Sequence, residues 1–269
     1  MALLLVLYRY GLHGSSQPAP DSGTVVEGNS EVSSVNLSRE ESEVTETVSA
    51  EHEVENTEYC ETPQIETESF QEPEELFYYT ALTEEIRQRI AGKSYPDTGE
   101  PVEVSYDDLA YVHVLHYDFD AQVQEGELIC SQAIAQDLVE IFSELYDSKY
   151  PIEKIRLIDE YDADDEASMA DNNTSCFNYR TVPGKTKLSN HSYGRAIDVN
   201  PLYNPYVRTK DGETLISPDN AVPYADRSAA FPHKIDKDDL CYKLFIQHGF
   251  RWGGAWNSSK DYQHFEKVD

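Results

Sequence analysis

The distribution of charge along the chain limits the segment that can fold into a globular core. Residues 1–76 contain seventeen acidic side chains and two basic ones, which is half of the net charge of −30 carried by all 269 residues. This first quarter is rich in Glu, Ser, Thr, Val and Asn, so it has too little apolar surface to offset the entropy of ordering. We therefore interpret residues 11–75 as a disordered acidic tether and place the folded domain in residues 76–269.

The extreme N-terminus, residues 1–10, opens with a short apolar run. This run is much shorter than the roughly 20 apolar residues that a transmembrane helix needs. It lacks a basic start, but it fits the end of a signal segment whose beginning is missing. We therefore expect a secreted or cell-wall-associated, extracytoplasmic protein, with no stable membrane insertion of the folded domain.

Composition argues against two further classes of protein. A net charge of −30 opposes nucleic-acid binding, because that binding depends on Lys and Arg side chains. A zinc ribbon is excluded because the four cysteines lie far apart and form no Cys-x-x-Cys pair. These cysteines are Cys60, Cys130, Cys176 and Cys241. We expect Cys130 and Cys241 to be small core residues.

From residue 76 onward, the pattern of apolar residues predicts a mixed domain. Helical spacing predicts helices over residues 82–90, 129–145 and 240–248. β-Branched and alternating residues predict strands over residues 102–104, 111–117 and 152–158. Because these elements mix without a regular β-α-β rhythm, we predict an α+β fold with a small antiparallel sheet and flanking helices.

Two short segments carry candidate catalytic chemistry. Residues 189–200 read Ser-Asn-His-Ser-Tyr-Gly-Arg-Ala-Ile-Asp-Val-Asn, and residues 261–266 read Asp-Tyr-Gln-His-Phe-Glu. His191 and Asp198 are separated by a Gly-containing bend, and His264 supplies a second imidazole from a distant point of the chain. Two histidines and one carboxylate leave a fourth tetrahedral position for water, which is the composition of a catalytic zinc site.

Asp261 lies three residues before His264. In a turn or short helix, this spacing brings the carboxylate to the same side as the imidazole. A carboxylate there can take a proton from water and pass it to a leaving amine. Spacing alone leaves the zinc site and ordinary structural roles as equal alternatives. The remaining histidines of the domain are expected to be structural, namely His113, His116, His233 and His248.

The pattern Ser-x-His-x-x-Gly-x-Ala-x-Asp over residues 189–198, with Asp-x-x-His at residues 261–264, resembles the M15 metallopeptidases. That family includes D-alanyl-D-alanine carboxypeptidases, vancomycin-resistance D,D-peptidases and phage L-alanyl-D-glutamate endopeptidases. The resemblance covers about residues 172–266. It implies a hedgehog/DD-peptidase-like fold and a zinc metallopeptidase that hydrolyses the stem peptides of cell-wall peptidoglycan.

The same resemblance implies roles for individual residues. It implies that Zn²⁺ is bound by His191, Asp198 and His264. Asp261 falls at the position of the family's catalytic acidic residue, and Arg180 at that of an arginine near the substrate carbonyl. Ser189 is either a substrate-binding residue or a turn residue before His191. Trp252 and Trp256 resemble tryptophans near the family's cleft, with core packing as an equal alternative.

Two alternatives stay open. A hedgehog-like domain would keep the zinc site for binding without hydrolysis, although Asp261 and Arg180 complete the set that a peptidase needs. The sequence Asp-x-x-His-Phe-Glu favours the endopeptidase-like branch, with a D,D-carboxypeptidase as the close rival. The acidic loop at residues 162–166 lacks the Gly and terminal Glu of an EF-hand, so we expect a solvated turn.

Overall fold

A computed structural model of the chain describes residues 73–99 and 101–268. All of these residues lie in a unit that spans Ile65–Asp269. The predicted apolar N-terminus, residues 1–10, and almost all of the predicted acidic tether, residues 11–75, fall outside the described residues. Both assignments, and the predicted domain boundary at residue 76, therefore stay predictions.

Short strands outnumber helices in the described residues. The strands are β1 (Tyr78–Ala81), β2 (Leu109–Tyr117), β3 (Val123–Ser131), β4 (Lys154–Ile155), β5 (Asn173–Thr174), β6 (Ala196–Asp198), β7 (Tyr206–Lys210), β8 (Glu213–Ser217), β9 (Arg251–Trp252), β10 (Lys260–Asp261) and β11 (His264–Glu266). The α-helices are α1 (Glu84–Ile90), α2 (Ala135–Asp147), α3 (Asp165–Ala170) and α4 (Leu240–Gln247). Across residues 73–99 and 101–268, no helix has the length and apolar character that crossing a bilayer requires.

The strands form three small antiparallel sheets and one parallel pair. The antiparallel sheets have the strand orders β1-β2-β3, β6-β11-β9 and β10-β7-β8, and β4 pairs with β5 in parallel. The predicted α+β class with antiparallel pairing and flanking helices is confirmed. In the described residues the predicted small sheet is divided into three, and most strands are only two to five residues long.

The hydrophobic core reaches the strands that carry the two motifs. It is built from the inner faces of α2, α4, β2 and β3, and it includes Ile197 of β6 and Phe265 of β11, both fully buried. Phe265 stacks on Phe245 of α4 with ring centroids 4.4 Å apart. Successive strand residues point to opposite faces, so burying these two side chains turns Asp198 and His264 toward the other face.

The predicted helix over residues 129–145 is wrong at its start. Residues 129–131 belong to β3, which pairs with β2, and the helix begins at Ala135. Leu128, Ile129 and Cys130 are all buried in this strand. A short continuous apolar run does not distinguish a buried strand from a buried helix, which explains the error.

Other predicted elements differ in length. The strand predicted over residues 102–104 does not form, and the one over residues 152–158 shrinks to β4 followed by a 3-10 helix, Ile158–Tyr161. Helix α1 begins at Glu84 because the Thr83 side chain caps it by accepting from the Ile86 N–H. The strand at residues 111–117 and the helix at residues 240–248 are confirmed as β2 and α4.

Two histidines and three cysteines have the structural environments expected of core residues. His113 and His116 are buried on β2, and each Nδ1 lies 2.7 Å from a backbone carbonyl oxygen, of Leu76 and Ile152 respectively. Free thiols are buried at Cys130, Cys176 and Cys241. The core positions predicted for Cys130 and Cys241 are confirmed.

Gly194 joins the turn that carries His191 to the end of β3. It ends the 3-10 helix Asn190–Tyr193 in the left-handed conformation, with φ of 62°. A Cβ atom on Gly194 would lie 2.4 Å from the Ser131 nitrogen, and the Gly194 carbonyl accepts from that N–H at 2.8 Å. Glycine is required here both by backbone conformation and by the close approach of β3.

We expect Gly194→Ala to lower the free energy of unfolding by about 2–5 kcal/mol. The substitution combines the strain of a left-handed alanine with overpacking against the backbone of β3. Gly212→Ala is the matched control, because Gly212 has φ of 84° but open space around its Cβ position. Its loss should be only about 1–2 kcal/mol. Denaturant unfolding followed by circular dichroism compares them, and equal losses would contradict the close-packing argument.

Candidate active site

The register of β6 and β11 brings together two residues from separate motifs. Asp198 lies directly opposite His264 in the antiparallel ladder, and Ile197 lies opposite Phe265. Side chains that are directly opposite in such a ladder have Cβ atoms about 4.5–5.5 Å apart. The two motifs, distant in sequence, therefore meet through ordinary strand pairing.

His191 joins this pair from the 3-10 helix Asn190–Tyr193. Its Nδ1 donates to the Cys176 carbonyl oxygen at 2.6 Å, because a carbonyl oxygen can only accept. This contact turns Nε2 toward the other two side chains. Nε2 lies 3.2 Å from Nδ1 of His264 and 3.3 Å from Oδ2 of Asp198.

The His191, Asp198 and His264 side chains have the spacing of a metal site. All three are buried, and their ligand atoms lie within 4.8 Å of one another. Zinc bonds of about 2.0–2.1 Å in a tetrahedral arrangement separate neighbouring ligand atoms by about 3.3–3.4 Å, close to the distances from His191. Two imidazoles and one carboxylate are also the donor set of catalytic zinc centres. The group can therefore hold a metal ion.

The electrostatics of the group also suit a cation. Burial opposes ionisation of Asp198, but the neighbouring imidazoles of His191 and His264 hold the pKa of that carboxyl well below its usual range. Burial lowers the pKa of His264, whereas hydrogen bonds to Asp198 and Glu266 raise it, with a net result of about 10. The carboxylate thus stays ionised in a buried setting that favours positive charge.

Glu266 supports His264 from the side opposite Asp198. Its Oε2 lies 3.5 Å from Nε2 of His264 and accepts a short hydrogen bond from the Asn190 side chain. A carboxylate there fixes the imidazole plane and leaves Nδ1 to face the metal position. The two motifs alone do not indicate this role, although strand alternation places residues 264 and 266 on one face of β11.

Asp261 lies beside the group, but not in the turn or short helix that was predicted. It belongs to β10, where it pairs with Tyr206 of β7, and the chain then bends into β11. Its Oδ1 is buried and has no hydrogen-bond partner among the described residues. Burial raises the pKa of Asp261 above its ordinary value, a shift that His264 reduces and the charge of Asp198 increases.

Gly253 has no side chain, so Asp261 and His264 can both pack directly against its backbone. A Cβ atom at Gly253 would lie 2.7 Å from the Asp261 carbonyl oxygen and 3.2 Å from the His264 Cβ. Trp256 lies near the group, with its ring centroid 5.3 Å from that of His264. Trp252 is instead a core residue, since it is buried and its indole N–H donates to the Tyr262 carbonyl at 2.9 Å.

Arg180 is attached through its backbone to the turn that carries His191. Its N–H donates to Oγ of Ser192 at 2.9 Å, and its carbonyl accepts from the Ser189 N–H at 3.0 Å. The guanidinium Nη2 pairs with Oδ2 of Asp165 at 2.6 Å. The Arg180 Nε is buried and has no partner within the part of the chain that the structure describes.

Ser189 acts as a cap for the same turn. Its Oγ accepts from the His191 N–H at 3.3 Å, so the structure shows the turn residue that the sequence left as an alternative. A contact between Ser189 and substrate stays a prediction.

The acidic loop at residues 162–166 is the expected solvated turn only in part: residues 162–163 form a turn and residues 162, 164 and 166 are exposed, but residues 165–166 belong to α3. Asp164 caps α3 by accepting from the Ala167 N–H, and Asp165 pairs with Arg180. Glu166 accepts from the Ser217 hydroxyl at 2.7 Å. The contacts of Asp165 and Glu166 do not follow from the local pattern, because their partners Arg180 and Ser217 lie far along the chain.

We expect Glu266→Gln to weaken zinc binding about ten- to hundredfold, because the amide supports the His264 imidazole less strongly than the carboxylate does. Competition with a chromophoric chelator measures the affinity. Glu125→Gln is the matched control, since Glu125 lies 3.5 Å from Nε2 of His113, away from the candidate site. Affinity that is unchanged in Glu266→Gln, or reduced equally in both variants, would contradict this role.

Comparison with known proteins finds a match over the segment that contains His191, Asp198 and His264. A protein-family model described as D-alanyl-D-alanine carboxypeptidase, of the M15 peptidases, matches residues 183–267. No solved structure matched the chain. The matched range includes the residues of both motifs and begins three residues after Arg180. The resemblance predicted from these motifs is confirmed, because residues 183–267 match the family model of these M15 peptidases.

Proposed function

We propose that this protein is a zinc-dependent peptidase that hydrolyses the stem peptides of peptidoglycan outside the cytoplasm. One observation carries the proposal: the buried Oδ1 of Asp261 has no partner among the described residues and lies beside the His191–Asp198–His264 group. Leaving a buried acceptor unpaired costs about 1–3 kcal/mol. Such a cost is expected where a reactant supplies the missing donor. The substrate class follows the description of the matched family.

The proposed reaction assigns separate roles to the candidate zinc ligands, to Asp261 and to Arg180. Zinc held by His191, Asp198 and His264 would polarise the scissile carbonyl and acidify water. Asp261 accepts the proton of the attacking water and then donates it to the departing amine. Arg180 provides a cationic N–H donor to the oxygen that develops negative charge, and its desolvated Nε strengthens that interaction.

The bond that is cut depends on how the substrate ends are recognised. The Asp-x-x-His-Phe-Glu segment favours an L-alanyl-D-glutamate endopeptidase, and the matched family is described as a D-alanyl-D-alanine carboxypeptidase. Both activities use the same attacking water and the same general base. The products formed from a defined stem peptide distinguish them, because one releases D-alanine and the other cleaves after L-alanine.

We expect Asp261→Asn to reduce kcat for stem-peptide hydrolysis about a hundredfold or more while zinc remains bound stoichiometrically. The amide cannot accept the proton of the attacking water, but Asp261 is not one of the three metal ligands. Mass spectrometry of muropeptide products and elemental analysis of zinc measure the two properties on the full chain. Chelator should abolish activity in the wild type, and added zinc should restore it.

Asp159→Asn is the control for loss of a buried carboxylate. Asp159 is buried, accepts from the backbone and hydroxyl of Ser94, and belongs to neither motif. This variant should retain kcat, even if its stability changes. Stoichiometric zinc without cleavage of any stem peptide by the wild type would contradict the proposal. A zinc-binding, non-hydrolytic domain of the same fold would then be the better description.

A further inference from the structure

The backbone of Arg180 is held firmly relative to the candidate metal ligands. Its N–H and carbonyl both contact the Ser192 hydroxyl, at 2.9 and 2.7 Å, and its carbonyl also accepts from Ser189. Ser189 and Ser192 flank His191 in the sequence and belong to its turn. The Cα position of Arg180 is therefore fixed, and the remaining freedom lies in its long side chain.

Asp165 restricts that remaining freedom. Its Oδ2 lies 2.6 Å from Nη2 of Arg180, and both side chains are only about a quarter exposed, at 29% and 24%. Ion pairs with this geometry are charge-assisted hydrogen bonds and are stronger than neutral ones. The contact occupies one end of the guanidinium and leaves the buried Nε–H of Arg180 available to another acceptor.

The helix that carries Asp165 is anchored on two sides. Glu166 accepts from the Ser217 hydroxyl and from the Asp219 N–H, which attaches α3 to the end of the β7–β8 hairpin. Met169, on the same helix, accepts from Nε2 of Gln263 at 3.4 Å. Gln263 is the residue before His264, so α3 contacts the segment that carries the candidate metal ligand. Asp165 therefore lies on a helix that contacts the segment carrying His264.

We propose that Asp165 is a positioning residue that orients the Arg180 guanidinium, so that Nε–H is directed at the oxyanion formed during peptide hydrolysis. This inference rests on the proposed function. An arginine side chain has about 2 kcal/mol of rotamer entropy, and a partner that orders it before the reaction removes that cost from the transition state. Asp165 acts through Arg180 and does not contact the substrate.

Steady-state kinetics of the full chain with a defined stem peptide and saturating zinc test this role. We expect Asp165→Ala and Asp165→Asn to lower kcat about tenfold or more, with KM changed less than about twofold. Asp165→Glu should restore part of the loss, because it returns a carboxylate. In the Arg180→Ala background, Asp165→Ala should have no further effect, since its partner is already absent.

Glu127→Gln is the matched control. It removes the carboxylate from another arginine pair, in which Oε2 of Glu127 lies 2.8 Å from Nη2 of Arg89, and it leaves the Asp165–Arg180 pair and the contacts of α3 in place. Its kcat should therefore stay within about twofold of wild type, and zinc content should remain stoichiometric in every variant. The inference is overturned if Glu127→Gln reproduces the loss, or if Asp165→Ala lowers kcat equally with and without Arg180.

Failure of the inference and failure of the proposed function give different results. If the wild type cleaves stem peptide in an Asp261-dependent reaction and Asp165→Ala matches it, only the positioning role of Asp165 is wrong. If the wild type cleaves no stem peptide, the proposed function fails and the inference fails with it.

Discussion

The antiparallel pairing of β6 with β11 holds Asp198 opposite His264, and the site is built outward from that pair. Burial sets this register, because the next residue pair along the ladder, Ile197 and Phe265, is fully buried in the core. A slip of one residue would turn His264 into the core and expose Phe265, so apolar packing specifies the polar geometry. The arrangement of the candidate ligands is thus a consequence of hydrophobic burial on the opposite face of the same strands.

Around this pair, each polar side chain is oriented by a different kind of partner. A backbone carbonyl orients His191, whereas the carboxylate of Glu266 orients His264. Gly194 lets the end of β3 approach the turn that carries His191, and Gly253 lets Asp261 and His264 approach its own backbone. Unpaired buried polar groups are costly, and among the described residues such groups include Oδ1 of Asp261, Nε of Arg180 and Oε1 of Gln263.

A net charge of −30 suggests solvated acidic side chains, but acidic residues near the site have specific partners. Glu166 accepts from Ser217, and Asp165 pairs with Arg180. An isolated surface ion pair contributes little to stability. The Asp165–Arg180 pair is partly buried, however, and it constrains a cation beside the turn of His191, which gives it a directional role. The net charge of the chain therefore does not reveal which acidic side chains have specific partners.

The sequence by itself determined the α+β class, the strand at residues 111–117, and the resemblance of residues 183–267 to the M15 peptidases. These features are local, because they depend on apolar periodicity and on fixed spacing within short motifs. Tertiary structure decided that residues 129–131 form a strand, that Glu266 supports His264, and that Asp165 holds Arg180. Each of these depends on pairing partners elsewhere in the chain or on side-chain direction, which the local sequence pattern does not specify.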